Sequence, residues 1–72
     1  MLTYIVMIEP LSAEDGAGYL ATVPDLPGCM SDGATPDDAL RNVEDAIEVW
    51  IDTAREMGRD VPLPTRRAVI SA

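Results

Sequence analysis

With 72 residues and a formal net charge of −8, the chain is long enough for one small domain and too acidic to hold a phosphate backbone non-specifically. A hydrophobic fraction of 47% excludes disorder as the default state. Histidine and lysine are absent, which removes the commonest general base and metal ligand, and with them a Schiff-base or phosphate-loop lysine.

The first element is an apolar, β-rich run from Leu2 to Ile8. Leu2, Tyr4, Val6 and Ile8 alternate with Ile5 and Met7, so both faces of the strand are apolar. That pattern fits a central strand, or one face used in an oligomer contact. Pro10 ends the run, and the polar stretch from Ser12 to Gly18 reads as a hairpin loop. Tyr19 to Val23 returns antiparallel as the second strand. Pro24-Asp25-Leu26-Pro27-Gly28 then bends the chain sharply: Pro24 and Pro27 remove two backbone donors and Gly28 permits a left-handed turn. Cys29 to Ser31 is long enough for a short third strand, and Asp32-Gly33 turns the chain again.

Thr35-Pro36-Asp37-Asp38 is a helix start. Thr35 caps, Pro36 suits the first helical position, and the two acids face the positive end of the dipole. Leu40, Val43, Ile47, Trp50, Ile51 and Ala54 recur at helical spacing, with Arg41, Glu44, Asp45, Glu48, Asp52 and Arg55 mostly off that stripe. Gly58 suits the position just past the helix end. Val61-Pro62-Leu63-Pro64 is extended, and Arg66 to Ser71 forms a last strand, with Arg66 and Arg67 keeping its edge soluble. The order β-β-β-α-β predicts an α+β fold, a small and mostly antiparallel sheet with one helix on one face, as a single domain over residues 1–72. A core this poor in aromatic residues favours self-association into a dimer or tetramer.

The candidates for chemistry are few. Asp15-Gly16-Ala17-Gly18 lacks the ending of a phosphate loop and reads as a hairpin turn. Asp25 and Asp32 flank the third strand and Asp37 and Asp38 start the helix, but turn and capping chemistry account for them better than a carboxylate-bound cation does. Cys29, the one cysteine, has no histidine to activate it and reads as a small buried residue. No catalytic residue, metal site or cofactor is therefore expected. A lone cysteine, with no positive apolar leader and no long apolar span, fits a protein of the reducing cytoplasm that does not enter a membrane. Trp50 is a core residue or an interface anchor.

One pattern is more specific. Gly18-Tyr19, Pro24-Asp25-Leu26-Pro27-Gly28-Cys29, Gly33-Ala34-Thr35, Asp38-Ala39-Leu40, then Gly58 and Val61-Pro62 run in that order along nearly the whole chain. This resembles the HicB family of antitoxins. The resemblance implies a HicB-type fold, a reduced version of the ribonuclease-H-like fold, and a non-enzymatic role. In that role the domain would neutralise a small basic HicA-type toxin, an mRNA-cleaving ribonuclease, by covering its active site and RNA surface. Many such antitoxins carry a C-terminal DNA-binding domain; none is expected within residues 1–72, so direct binding of nucleic acid by this chain is not expected. The partner-binding residues expected on this reading are Asp25 and Leu26 in the rigid loop and Asp45, Glu48 and Asp52 on the helix. Pro24, Pro27, Gly28, Gly33, Thr35, Pro36 and Gly58 would set the turns and caps. Two other readings stand beside it: a free-standing HicB-like oligomer with a structural or regulatory role and no toxin, and a carboxylate-metal nuclease.

Overall fold

The N-terminal alternation does produce a hairpin, with its paired part shifted toward the turn. In the computed structural model, which describes residues 4–64, strand β1 spans Met7–Pro10 and strand β2 spans Tyr19–Thr22. They pair antiparallel, with Met7 opposite Thr22 and Pro10 opposite Tyr19. The connecting loop winds into a short 3₁₀ turn, Ala13–Asp15, capped by the Ser12 hydroxyl, which accepts from the Asp15 amide. Pro10 is the last residue of β1 rather than the first beyond it. It sits on a strand that lies at the sheet edge among the described residues, where a missing amide donor costs little.

Strand β3 covers Met30–Gly33 and pairs antiparallel with β2, giving the order β1-β2-β3. It starts one residue later than the sequence suggested, because the Cys29 amide is used to close the preceding turn on the Leu26 carbonyl. Gly33 belongs to β3 instead of forming a turn. Its reason for being glycine is tertiary: a Cβ there would meet the helix backbone, 2.6 Å from the Asp38 carbonyl carbon. The start of the helix can therefore lie directly on the strand.

Helix α1 runs Pro36–Glu56, about 31 Å at 1.5 Å per residue. The Thr35 hydroxyl accepts from the Asp38 amide at 3.1 Å, and Pro36, Asp37 and Asp38 fill the first turn. At the far end the Gly58 amide donates to the Arg55 carbonyl (3.0 Å) and the Arg59 amide to that of Ala54 (2.8 Å). That pair of bonds closes the helix as a Schellman motif. The arrangement is α+β, with α1 packed mainly on β3 and β2. The expected strand at residues 66–71 lies outside the described residues.

The core is built from small and branched residues. Tyr4, Ala21, Val23, Leu26, Cys29, Ala39 and Val43 form one buried cluster, with Ile47, Trp50 and Ile51 packed against it. In the sheet, alternation sends Tyr19 and Ala21 toward α1 and leaves Leu20 and Thr22 on the other face. After the helix the chain folds back on the N-terminal segment, where the Tyr4 hydroxyl donates to the Pro62 carbonyl at 2.6 Å.

Candidate functional site

Two features flank α1: a rigid loop at one side of its middle and two grooves along its length. The loop is a pair of consecutive β-turns. The Leu26 amide donates to the Val23 carbonyl (3.1 Å) and the Cys29 amide to the Leu26 carbonyl (2.9 Å). Each turn has a proline in its second position, Pro24 and Pro27, whose fixed φ suits that place. Gly28 follows Pro27 with φ of 78°, the left-handed conformation that the third position of a type II turn requires. The Val23 amide closes the whole loop on the Cys29 carbonyl at 3.0 Å. Trp50 Nε1–H donates to the Pro27 carbonyl at 3.0 Å, tying the loop to the helix.

This double turn reverses one expectation. Leu26 is the hinge between the two turns, and its side chain is 0% exposed. The loop presents its prolines outward and turns Leu26 into the core, so Leu26 is a packing residue and not a contact for a partner. Asp25, beside it, is half-buried and has an interaction of its own within the fold. Cys29 is buried as read from the sequence, and burial pushes its thiol up from the ordinary 9.0, which keeps it protonated and unreactive at neutral pH.

The first groove, about 830 Å³, lies between α1 and the N-terminal segment. Tyr4, Val6, Ile47 and Ile51 form an apolar floor, and Glu44, Asp45, Glu48 and Asp52 stand along it. All four acids are exposed. Glu44, Glu48 and Asp52 follow each other at four-residue intervals, so each successive pair sits within one turn on the same helix face. Such like-charged pairs destabilise a helix by about 0.2–0.5 kcal/mol each. Arg55 alone among the groove residues offsets them. Arg41, three and four residues before Glu44 and Asp45, and Arg55, three after Asp52, offset part of that cost, and the strip remains negative on balance.

The second groove, about 700 Å³, runs along the other side of α1 beside the loop. Trp50, held by its bond to Pro27, forms part of the wall with Cys29 and Ala54. Val49 and Met57 project beside it, 65% and 59% exposed. Asp45 stands at one end and Arg59 at the other.

Of the residues expected to bind a partner, the fold gathers Asp45, Glu48 and Asp52 along the acidic groove. Asp25 lines neither groove, and Leu26 is inside. Glu44 joins the strip although sequence spacing did not single it out; its position four residues before Glu48 was the available signal. The exposed pair Val49 and Met57 was also missed, because neither falls on the main apolar stripe and only their eight-residue spacing connects them. Among the described residues no three His, Cys, Asp or Glu side chains are placed to hold a metal ion. None of the described helices is long and apolar enough to cross a membrane.

A family model described as the HicB-like antitoxin of bacterial toxin–antitoxin systems matches residues 4–72. A UPF0150 protein of Thermoplasma acidophilum is 39% identical over 61 residues, covering 85% of this chain and 84% of that protein. A UPF0150 protein of Helicobacter pylori is 41% identical over 46 residues, 64% of each chain, so the match spans slightly less than two thirds of that relative. An uncharacterized 14.9 kDa protein of Haemophilus phage HP1 is 37% identical over 78% of this chain and 43% of its own length.

Proposed function

The chain belongs to the HicB-like antitoxin family of bacterial toxin–antitoxin systems, and from that premise we propose that it neutralises a small basic HicA-type ribonuclease by binding it. The observation that carries this reading is the acidic groove. Glu44, Asp45, Glu48 and Asp52, all exposed, line a half-buried apolar floor along α1, and the helix itself gains nothing from their proximity to one another. A ribonuclease surface built to hold phosphates is positive, so a row of fixed carboxylates at helical spacing competes for the same place that RNA would take. Apolar floor residues such as Ile47 and Ile51 add burial once the two surfaces meet.

The action is occlusion. The domain makes and breaks no bond; its carboxylates occupy the partner's basic surface and its bulk keeps RNA away from the active site. In this reading residues 1–72 form a cytoplasmic ribonuclease-inhibitor domain that assembles into a homo-oligomer, a dimer or tetramer, and inhibits without a cofactor.

The direct test is RNA cleavage by a small basic HicA-type ribonuclease, with and without this chain. The native chain is expected to stop cleavage at near-equimolar concentration. Glu48→Arg combined with Asp52→Arg reverses two charges of the strip without touching the second groove, and protection is expected to fall by at least about tenfold in the concentration required. Full protection by the double variant removes the strip from the account.

A further inference from the structure

The second groove gathers apolar groups that the fold leaves uncovered. Met30, Val49 and Met57 all line it, and they are 52%, 65% and 59% exposed. We propose that it receives an apolar projection of the same basic ribonuclease that the acidic strip attracts, and that Val49, Trp50 and Met57 set which ribonuclease is held. This rests on the antitoxin reading of the acidic groove and gives that partner a second point of contact.

The first reason is placement on the helix. Val49 lies four residues after Asp45 and three before Asp52, so both acids are its surface neighbours, one turn to either side. Asp45 lines both grooves. A partner whose cations reach Asp45 and Asp52 therefore covers Val49 between them. Thr53, four residues beyond Val49, continues the same row into the groove. Helix formation does not account for Val49: a β-branched side chain is a weaker helix former than the leucine, glutamate or arginine that an exposed site accepts.

The groove is also prepared for an anchor. Gly28, Cys29, Ala46 and Ala54 in its lining are small and leave a concavity of about 700 Å³ between the helix and the double turn. Trp50 stands in the wall with its indole nitrogen already bonded to the Pro27 carbonyl at 3.0 Å. Its polar atom is satisfied and its ring is held before a partner arrives, so little entropy is lost there. Tryptophan and methionine are among the residue types enriched at the centres of protein–protein interfaces.

Size points the same way. A stable complex buries about 800 Å² on each side, about 20–30 residues of each partner. Ten described residues line the acidic groove and eleven others line the second. One groove falls short of that footprint, and the two together reach it.

Charge fixes the orientation. The end of the groove at Asp45 continues the negative strip, whereas the far end carries Arg59, which repels a positive surface. The basic face of the partner therefore stops near Asp45, and what enters beyond it is neutral and apolar. Attraction to the strip speeds encounter with any basic protein. An apolar side chain that fits beside Trp50 discriminates among them.

Trp50 is the one tryptophan of the chain, so protein labelled with fluorotryptophan gives a single fluorine resonance from the groove wall. Titration with a HicA-type ribonuclease should shift that resonance. Decalysine, which offers charge alone, should bind the strip and leave the resonance in place. Val49→Gln with Met57→Gln removes apolar surface without altering charge. It should raise the Kd for the ribonuclease by at least about tenfold at low and at high salt alike, with native salt dependence. Both side chains are largely exposed, so melting of this variant should match the native chain. Glu48→Arg with Asp52→Arg should instead flatten the salt dependence. A Trp50 resonance unmoved by bound ribonuclease overturns the proposal, as does native affinity in the glutamine variant; a strip variant that still loses affinity then leaves the antitoxin reading standing. A resonance that shifts as the chain alone is concentrated assigns the groove to a second copy and also overturns the proposal. Failure of the native chain to bind the ribonuclease at all defeats the antitoxin reading, and the proposal with it.

Discussion

Under the proposed function, Glu48 is the residue at which binding and folding pull in opposite directions. It has Glu44 four residues before it and Asp52 four residues after it, all exposed on one face of α1. Replacing it with arginine removes three like-charged pairs, with Glu44, Asp45 and Asp52, and creates three opposite ones. At about 0.2–0.5 kcal/mol for each of the six changes, and with solvent screening drawing the sum to its lower end or below, Glu48→Arg should stabilise the domain by about 1 kcal/mol. For a domain of this size that corresponds to a rise of about 4–8 °C in Tm. Circular dichroism melts at low ionic strength measure it directly. The gain should shrink by more than half in molar salt, where the Debye length falls to about 3 Å. The same variant should bind the basic toxin more weakly. A Tm that is unchanged or lowered at low salt would refute the claim that the strip costs the fold stability. Higher Tm with undiminished toxin affinity would refute the claim that the cost serves binding.

Leu26→Ala should destabilise the domain by about 2–4 kcal/mol, since a fully buried leucine is truncated at the hinge of two turns; urea titration followed by Trp50 fluorescence reads it, and a loss below about 1 kcal/mol would return Leu26 to the surface. Thr35→Ala removes the oxygen that accepts from the Asp38 amide and should cost about 1 kcal/mol in a thermal melt. The Cys29 thiol is raised above its ordinary 9.0 by burial, so the folded state keeps its proton to higher pH than the unfolded chain does. Its stabilising effect is complete below pH 9.0 and is lost as pH rises from there through the folded-state value. Cys29→Ala should lack that component of the alkaline decline in urea titrations, and a native decline no steeper than the variant's would count against the burial argument.

The parts of the fold legible in the sequence are those where a residue dictates its own backbone. Thr35-Pro36 and Gly58 bracket α1 because a cap, a fixed φ and a left-handed residue act within a turn of themselves. Pro24, Pro27 and Gly28 announce a rigid reversal for the same reason. What that motif does not announce is the direction of Leu26: a leucine between two prolines in a loop looks exposed, and only the second turn shows that it is aimed at the core. Gly33 is similar. Local chemistry allows a turn there, whereas the close approach of the Asp38 backbone is a fact of packing between β3 and α1. On the helix, periodicity located most of the inward stripe, though Leu40 is exposed and Ala39 is buried in its stead, and it set Asp45, Glu48 and Asp52 off that stripe. It could not separate the acidic groove from the apolar one, because which residues the loop and the N-terminal segment leave uncovered depends on where those segments pass.

Calorimetric titration of this chain with the HicA-type toxin at two salt concentrations tests the central claim most directly. The account requires tight binding that weakens steeply as salt rises, with Glu48→Arg/Asp52→Arg binding more weakly and with a flatter salt dependence. No binding at either salt, or a double variant with native affinity and native salt dependence, would contradict it.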